Sequence, residues 1–253
     1  MLSCYSDEIP QVKFFITGCP EPWIHSGFQL ELPQPITEVL RLHDVEHSLV
    51  NSDIRLFLRT LVSNIAKTQS NCNFTEDWPS PNDIDILCKK AAGLFIYAST
   101  LVKFIKSKYY SPTERLAFIT SLPQSPTHEG KSGINLLYTQ ILEQAFCGID
   151  VDEEELYSQF RSVVGTVLLV FNPLQAKALS TLLRTHNISI TLHPLHSVLL
   201  VPDNGVNPIQ VFHKSFPDFL MDQGQCRDKR FFYQPISQSP GDIAFKPQTD
   251  GGV

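Results

Sequence analysis

The chain has 253 residues, of which 42% are hydrophobic and 18% charged; this is enough apolar material for a sizeable core and excludes a disordered polypeptide. Its 20 Lys and Arg stand against 26 Asp and Glu, a formal net charge of -6. That balance excludes a surface built as a whole to neutralise nucleic-acid phosphates or anionic lipid.

The opening "MLSCYSDEIPQ" lacks a basic stretch followed by an apolar one, so no secretory leader is expected. The longest apolar runs, such as "VVGTVLLVF" at 163–171, fall short of the roughly 20 residues that cross a bilayer. Cys4, Cys19, Cys72, Cys88, Cys147 and Cys226 form no C-x-x-C pair and have no histidines at zinc spacing. They read as free thiols in a reducing cytosol.

In chain order, "VKFFITG" (12–18) is a continuous apolar run closed by Gly18 and Pro20, the pattern of a strand buried on both faces of a parallel sheet. "FQLEL" and "EVLRLHDV" alternate apolar and polar positions and read as one or two further short strands. A three-layer α/β domain needs more strands, so the chain is expected to begin inside a domain, with residues 1–48 its least well packed part.

From residue 52 the period becomes helical. Apolar residues at 54, 57, 58, 61, 62 and 65 share one helix face, with Ser52 or Asp53 as the cap. "SPNDIDILCKKAAGLFIYASTLVKFIKS" reads as two helices broken at Gly93. Ser111, Pro112 and Glu114 form a capping-box pattern at the start of the next helix. The polar stretch 123–133 is a linker, followed by an amphipathic helix in "INLLYTQILEQAF". The acids of "FCGIDVDEEE" are placed to favour the positive end of a helix over 153–171.

"PLQAKALSTLLR" starts a helix at Pro173, "ITLHPLHSVL" is the third helix of the group, and two apolar strands flank Asp203, Asn204 and Gly205. Three helices and a two-stranded ribbon are the order of a winged helix. The last 20 residues are rich in Pro, Ser, Gly and Asp and read as frayed.

Chemistry is sparse. There is no GxxxxGK[ST] and no GxGxxG, no apolar strand ending in paired acids, and no GxSxG elbow. A hydrolase or transferase of another type would rest on scattered His, Cys and Asp with no known spacing. His193 and His196 are three apart but flank Pro194 and have no third ligand, so they read as surface or half-buried histidines rather than a metal site. The expected recognition helix "ITLHPLHSVL" has no Lys, Arg, Asn or Gln to read bases, which makes nucleic acid an unfavoured partner; the alternative of a winged-helix nucleic-acid-binding protein would show itself by salt-dependent DNA binding.

The ordered set "FFITGCPEP", "CKKAAGLFIYA", "LLYTQILEQAF" and "FHKSFPDFL" resembles the second half of the NACHT module of fungal NACHT and WD-repeat proteins, members of the STAND class of P-loop NTPases related to NOD-like receptors. The likeness covers roughly residues 10–233. It implies a nucleotide-operated signalling switch using ATP and ADP in full-length relatives. The family's phosphate-sensing arginine falls at Cys19, which carries no such charge. Its adenine-facing "GLPL" falls at Gly93, Leu94 and Phe95, where Phe95 offers either an apolar face to a base or a core side chain. The histidine that holds the β-phosphate of ADP falls at His213.

Walker A, Walker B and the WD repeats are not found in the sequence, so the resemblance implies a truncated member, a partial gene model or a product of gene erosion. The expected fold is mainly α: a remnant of a parallel α/β nucleotide-binding sheet over 1–48, a helical domain over 49–125, a linker and helix over 126–150, a winged helix over 151–222, and a tail over 223–253 disordered from about 234. The expected role is regulatory or protein-interacting and cytoplasmic. Neither ATP hydrolysis nor a cofactor is expected for the chain alone, and its partners would be other protein chains or the missing halves of the module, not a membrane. His213 is expected to be a former switch contact, with Ser215 capping the following helix through Asp218.

Overall fold

The computed structural model describes residues 15–18, 44–69, 72, 74–107, 110–122, 130–149, 152–185, 187–202 and 204–234. Two compact units divide at Glu46 and His47. Of the first unit, residues 15–18 form no strand and are exposed, with Phe15 91% accessible. An apolar run supplies the faces of a strand but not the neighbouring backbone that makes it one. The rest of the expected strand at 12–18, and those in "FQLEL" and 38–43, lie outside the described residues, as does Cys19.

Residues 47–253 form the second unit, which is mainly helical among its described residues. Helix α1 (His47–Thr68) buries Ile54, Leu58, Val62 and Ile65. It begins five residues before the expected cap because Val50, one turn before Ile54, continues the stripe and packs on the core. Helix α2 (Pro81–Ala91) has a complete capping box: the Ser80 hydroxyl accepts the Asp83 N–H at 3.1 Å, and the Asp83 carboxylate accepts the Ser80 N–H at 3.0 Å. Ser80→Ala is expected to cost about 1 kcal/mol of stability, read by urea denaturation.

Helix α3 (Phe95–Ile105) is apolar apart from Ser99, Thr100 and Lys103, and seven of its residues from Tyr97 to Ile105 are buried. Such a helix belongs at the centre of a bundle. Helices α1, α2 and α4 (Pro112–Ser121) pack on it, together with α5 (Gly130–Phe146). The capping box expected at Ser111 is not formed. The Ser111 hydroxyl bonds the Thr113 hydroxyl at 2.7 Å instead of a backbone N–H. Helix α5 starts four residues earlier than expected, inside the polar stretch read as a linker. Its residues Ile134, Leu137, Tyr138, Ile141, Leu142 and Ala145 are buried, at the spacing of one helix face.

Helix α6 (Glu153–Leu169) is capped by the Asp152 carboxylate, which accepts the Glu155 N–H at 3.1 Å, and Glu153, Glu154 and Glu155 fill its first turn. These acids serve the helix end, as their position implied. Helix α7 (Ala176–Leu183) begins three residues after Pro173. Helix α8 (Ser189–Leu192) runs into a 3-10 turn (His193–Leu195). Strands β1 (Leu199–Leu200) and β2 (Gln210–Val211) pair antiparallel, Leu199 with Val211 and Leu200 with Gln210. Within the connecting loop the Asn204 side-chain oxygen accepts the N–H groups of Val206 and Asn207, and Gly205 has φ 63°; Asp203 lies outside the described residues. Helix α9 (Ser215–Met221) follows.

Residues 223–234, assigned to the expected tail over 223–253, are packed on the helices. Cys226 and Phe231 are buried, and the Phe231 ring lies 5.9, 5.4 and 5.4 Å from those of Phe146, Tyr157 and Phe160. This strap is held along α6. Arg161 donates to the Arg230 carbonyl at 3.2 Å, Arg230 donates to the Tyr157 hydroxyl at 3.2 Å, and the Tyr233 N–H donates to the Leu220 carbonyl at 2.9 Å. Beside Tyr233 the helix carries Gly165. A β-carbon there would stand 2.2 Å from the Tyr233 ring.

Candidate functional site

Gly93, Leu94 and Phe95 form the corner between α2 and α3. Ala92 and Gly93 take φ values of 47° and 80°, a left-handed pair that ends α2 and is open to glycine at least cost. Leu94 is the N-cap residue of α3 and packs on the core. Phe95 is 44% exposed, and its ring makes an edge-to-face contact with that of Phe57 at 5.8 Å. The corner therefore has a full conformational and packing account, with part of one aromatic ring left open to a flat ligand.

His213 lies between β2 and α9 and is exposed. Its Nδ1 accepts the Ser215 backbone N–H at 3.1 Å and stands 2.8 Å from the Ser215 hydroxyl. A nitrogen that accepts a backbone N–H carries a lone pair, so the Ser215 hydroxyl is the donor in the second contact. Tyr138, 2.7 Å from the same hydroxyl oxygen, then donates to it. Burial pushes the Tyr138 phenol up, which keeps it protonated as that donor. A directed chain thus runs from Tyr138 through Ser215 to His213, and the neutral imidazole carries its hydrogen on Nε2.

The expectation that Ser215 caps α9 through Asp218 is corrected by this geometry. Ser215 is the first residue of the helix, and the side chain that accepts its N–H is His213. Tyr138 is 77 positions away in sequence, and no local pattern announces it.

Both ring nitrogens of His196 are engaged: Nδ1 lies 3.1 Å from the His193 carbonyl oxygen, and Nε2 lies 3.1 Å from the Lys103 carbonyl oxygen. No group of three or more His, Cys, Asp or Glu side chains able to hold a metal occurs among the described residues. Arg115, a further residue that sequence reasoning missed, is buried; its guanidinium lies between the Phe104 and Tyr110 rings at 3.9 and 4.0 Å and donates to the Phe104 carbonyl at 2.8 Å. Burial lowers its pKa to about 10. Together Arg115 and His196 meet the carbonyls that the last turn of α3 leaves without helical partners.

The stretch expected as a recognition helix, 190–199, is divided after Leu192 into the end of a four-residue helix and a 3-10 turn, with Thr191, Leu192 and Leu195 buried. Cys72, Cys88, Cys147 and Cys226 are free thiols. No described helix is long and apolar enough to cross a membrane.

As for a nucleotide, the Nε2–H of His213 has the chemistry to donate to a phosphate oxygen, and Phe95 is partly exposed. The hydrogen bonds of His213 go to Ser215 and the ring contact of Phe95 goes to Phe57; no hydrogen bond or ring contact joins the two among the described residues. Comparison with protein-family models, with curated proteins and with solved structures gives no match.

Proposed function

We propose that the chain is a regulatory or protein-interaction module related to the NACHT modules of STAND-class proteins, with a winged-helix arrangement in its C-terminal half and no ATP hydrolysis of its own. The observation that carries this reading is the setting of His213. Its Nδ1 is held by Ser215, itself supported by Tyr138 from α5, so the imidazole is oriented by two elements while its Nε2–H stays available. A histidine so placed is suited to reporting an anion held by another chain or segment.

The exposed apolar residues of α1 and the α2–α3 corner support contact with protein. Leu49, Leu56 and Phe95 are 55%, 65% and 44% accessible. Without a phosphate cradle in the sequence, His213 alone has too few donors to bind a nucleotide tightly. Isothermal titration of the purified chain with Mg-ATP and ADP is expected to give no micromolar binding, and a phosphate-release assay no turnover above background. Micromolar affinity or measurable hydrolysis would overturn the non-catalytic reading.

A further inference from the structure

We propose that His196 is an acid-released latch between the end of α3 and the C-terminal module. Two attachments converge on Lys103, near the end of α3, and a third ties one of its partners down. Its carbonyl oxygen faces His196 Nε2 at 3.1 Å, its ammonium lies 3.5 Å from the centre of the Phe212 ring, and Phe212 is tied to the same module by donating its N–H to the Val198 carbonyl at 3.0 Å. The latch is therefore one residue of α3 held by its backbone and its side chain together.

The imidazole sits between two carbonyl oxygens, and a neutral ring has one hydrogen to offer them. In the neutral form one nitrogen lone pair faces a carbonyl. The doubly protonated form could donate to both, but it brings a positive charge into a half-buried site. The charged groups acting there are Arg115 from α4 and Lys103 from α3, both cations, and the 3-10 turn contributes the His193 carbonyl; no acid stands among the groups acting on the ring. Burial, first, and then the two cations outweigh the carbonyls and depress the His196 pKa below its usual value. The turn has little in reserve: the buried hydroxyls of Thr191 and Ser197, on either side of it, have no hydrogen-bond partner.

An imidazole that binds its proton more weakly when folded leaves stability intact above its unfolded pKa, near 6.5. Stability is lost as pH falls from there through the folded value. Acidification therefore favours states in which His196 leaves the end of α3.

Hydrogen exchange of the amides at 101–106 and 193–200, corrected for intrinsic rates, tests this on the full chain. Between pH 7.5 and 5.5 the wild type is expected to lose protection several-fold in both segments together. In His196→Gln, which keeps a donor and an acceptor but binds no proton, the loss should disappear. Unchanged or greater protection at pH 5.5, or the same loss in the variant, would overturn the latch. Should the variant not fold, a ring-nitrogen NMR titration of the wild type decides instead: a His196 pKa below 6.5 supports the proposal, and a value at or above it sinks it.

Discussion

Phe231→Ala is expected to lower the free energy of unfolding by about 3–5 kcal/mol, the range for removing a buried phenylalanine. The ring is 1% exposed and sits among Phe146, Tyr157 and Phe160, with edge-on or tilted contacts to all three. Truncation to alanine removes its burial and the ring contacts, and leaves a cavity bounded by α5 and α6 that rigid helices cannot close. The stabilities of small domains are commonly 5–15 kcal/mol, so this loss takes a large share. Urea denaturation followed by circular dichroism measures it. A loss under about 1 kcal/mol would mean that the strap contributes little to the core.

Gly165→Ala is expected to destabilise by about 1–3 kcal/mol through overpacking, although alanine is the better helix former by about 1 kcal/mol. The new methyl would stand 2.2, 2.7 and 2.9 Å from three atoms of the Tyr233 ring, so the ring must move away from α6. The sign of the effect should depend on Tyr233. In a Tyr233→Ala background the obstruction is gone, and Gly165→Ala should become neutral or stabilising by up to about 1 kcal/mol. A double-mutant cycle by thermal or urea denaturation reads this coupling. Equal effects in both backgrounds would show that Tyr233 does not rest on the helix.

The helices were legible where burial follows a period. The α5 set from Ile134 to Ala145 and the α1 set from Ile54 to Ile65 are visible in the sequence because each residue signals the same face as its neighbours three and four away. Caps were legible only in part. Ser80 and Ser111 each precede a proline with an acid three residues on, yet one side chain turns to the backbone and the other to Thr113. Local pattern does not separate them, because each hydroxyl has competing partners of similar strength.

The strap at 226–234 was hidden for another reason. One buried phenylalanine among Asp228, Lys229 and Arg230 has no period, and the rings it joins are contributed by α5 and α6, about 70 to 85 positions earlier. The candidate site divides in the same way. His213 was singled out from the sequence but its local partner was misassigned, Ser215 being paired with Asp218, and Tyr138 entered only through the tertiary fold. Arg115 reads in sequence as one more surface cation of an amphipathic helix, and only the approach of Phe104 and Tyr110 makes it a buried one.

The position of Phe231 also sets a timetable for synthesis. Phe160 leaves the peptidyl-transferase centre 71 residues before the ring that covers it, as the numbers 160 and 231 require. At about 5–20 residues per second, Phe160 of α6 waits about 4–14 s for that ring. During that interval the nascent chain presents Phe146, Tyr157 and Phe160 to whatever binds apolar surface near the ribosome.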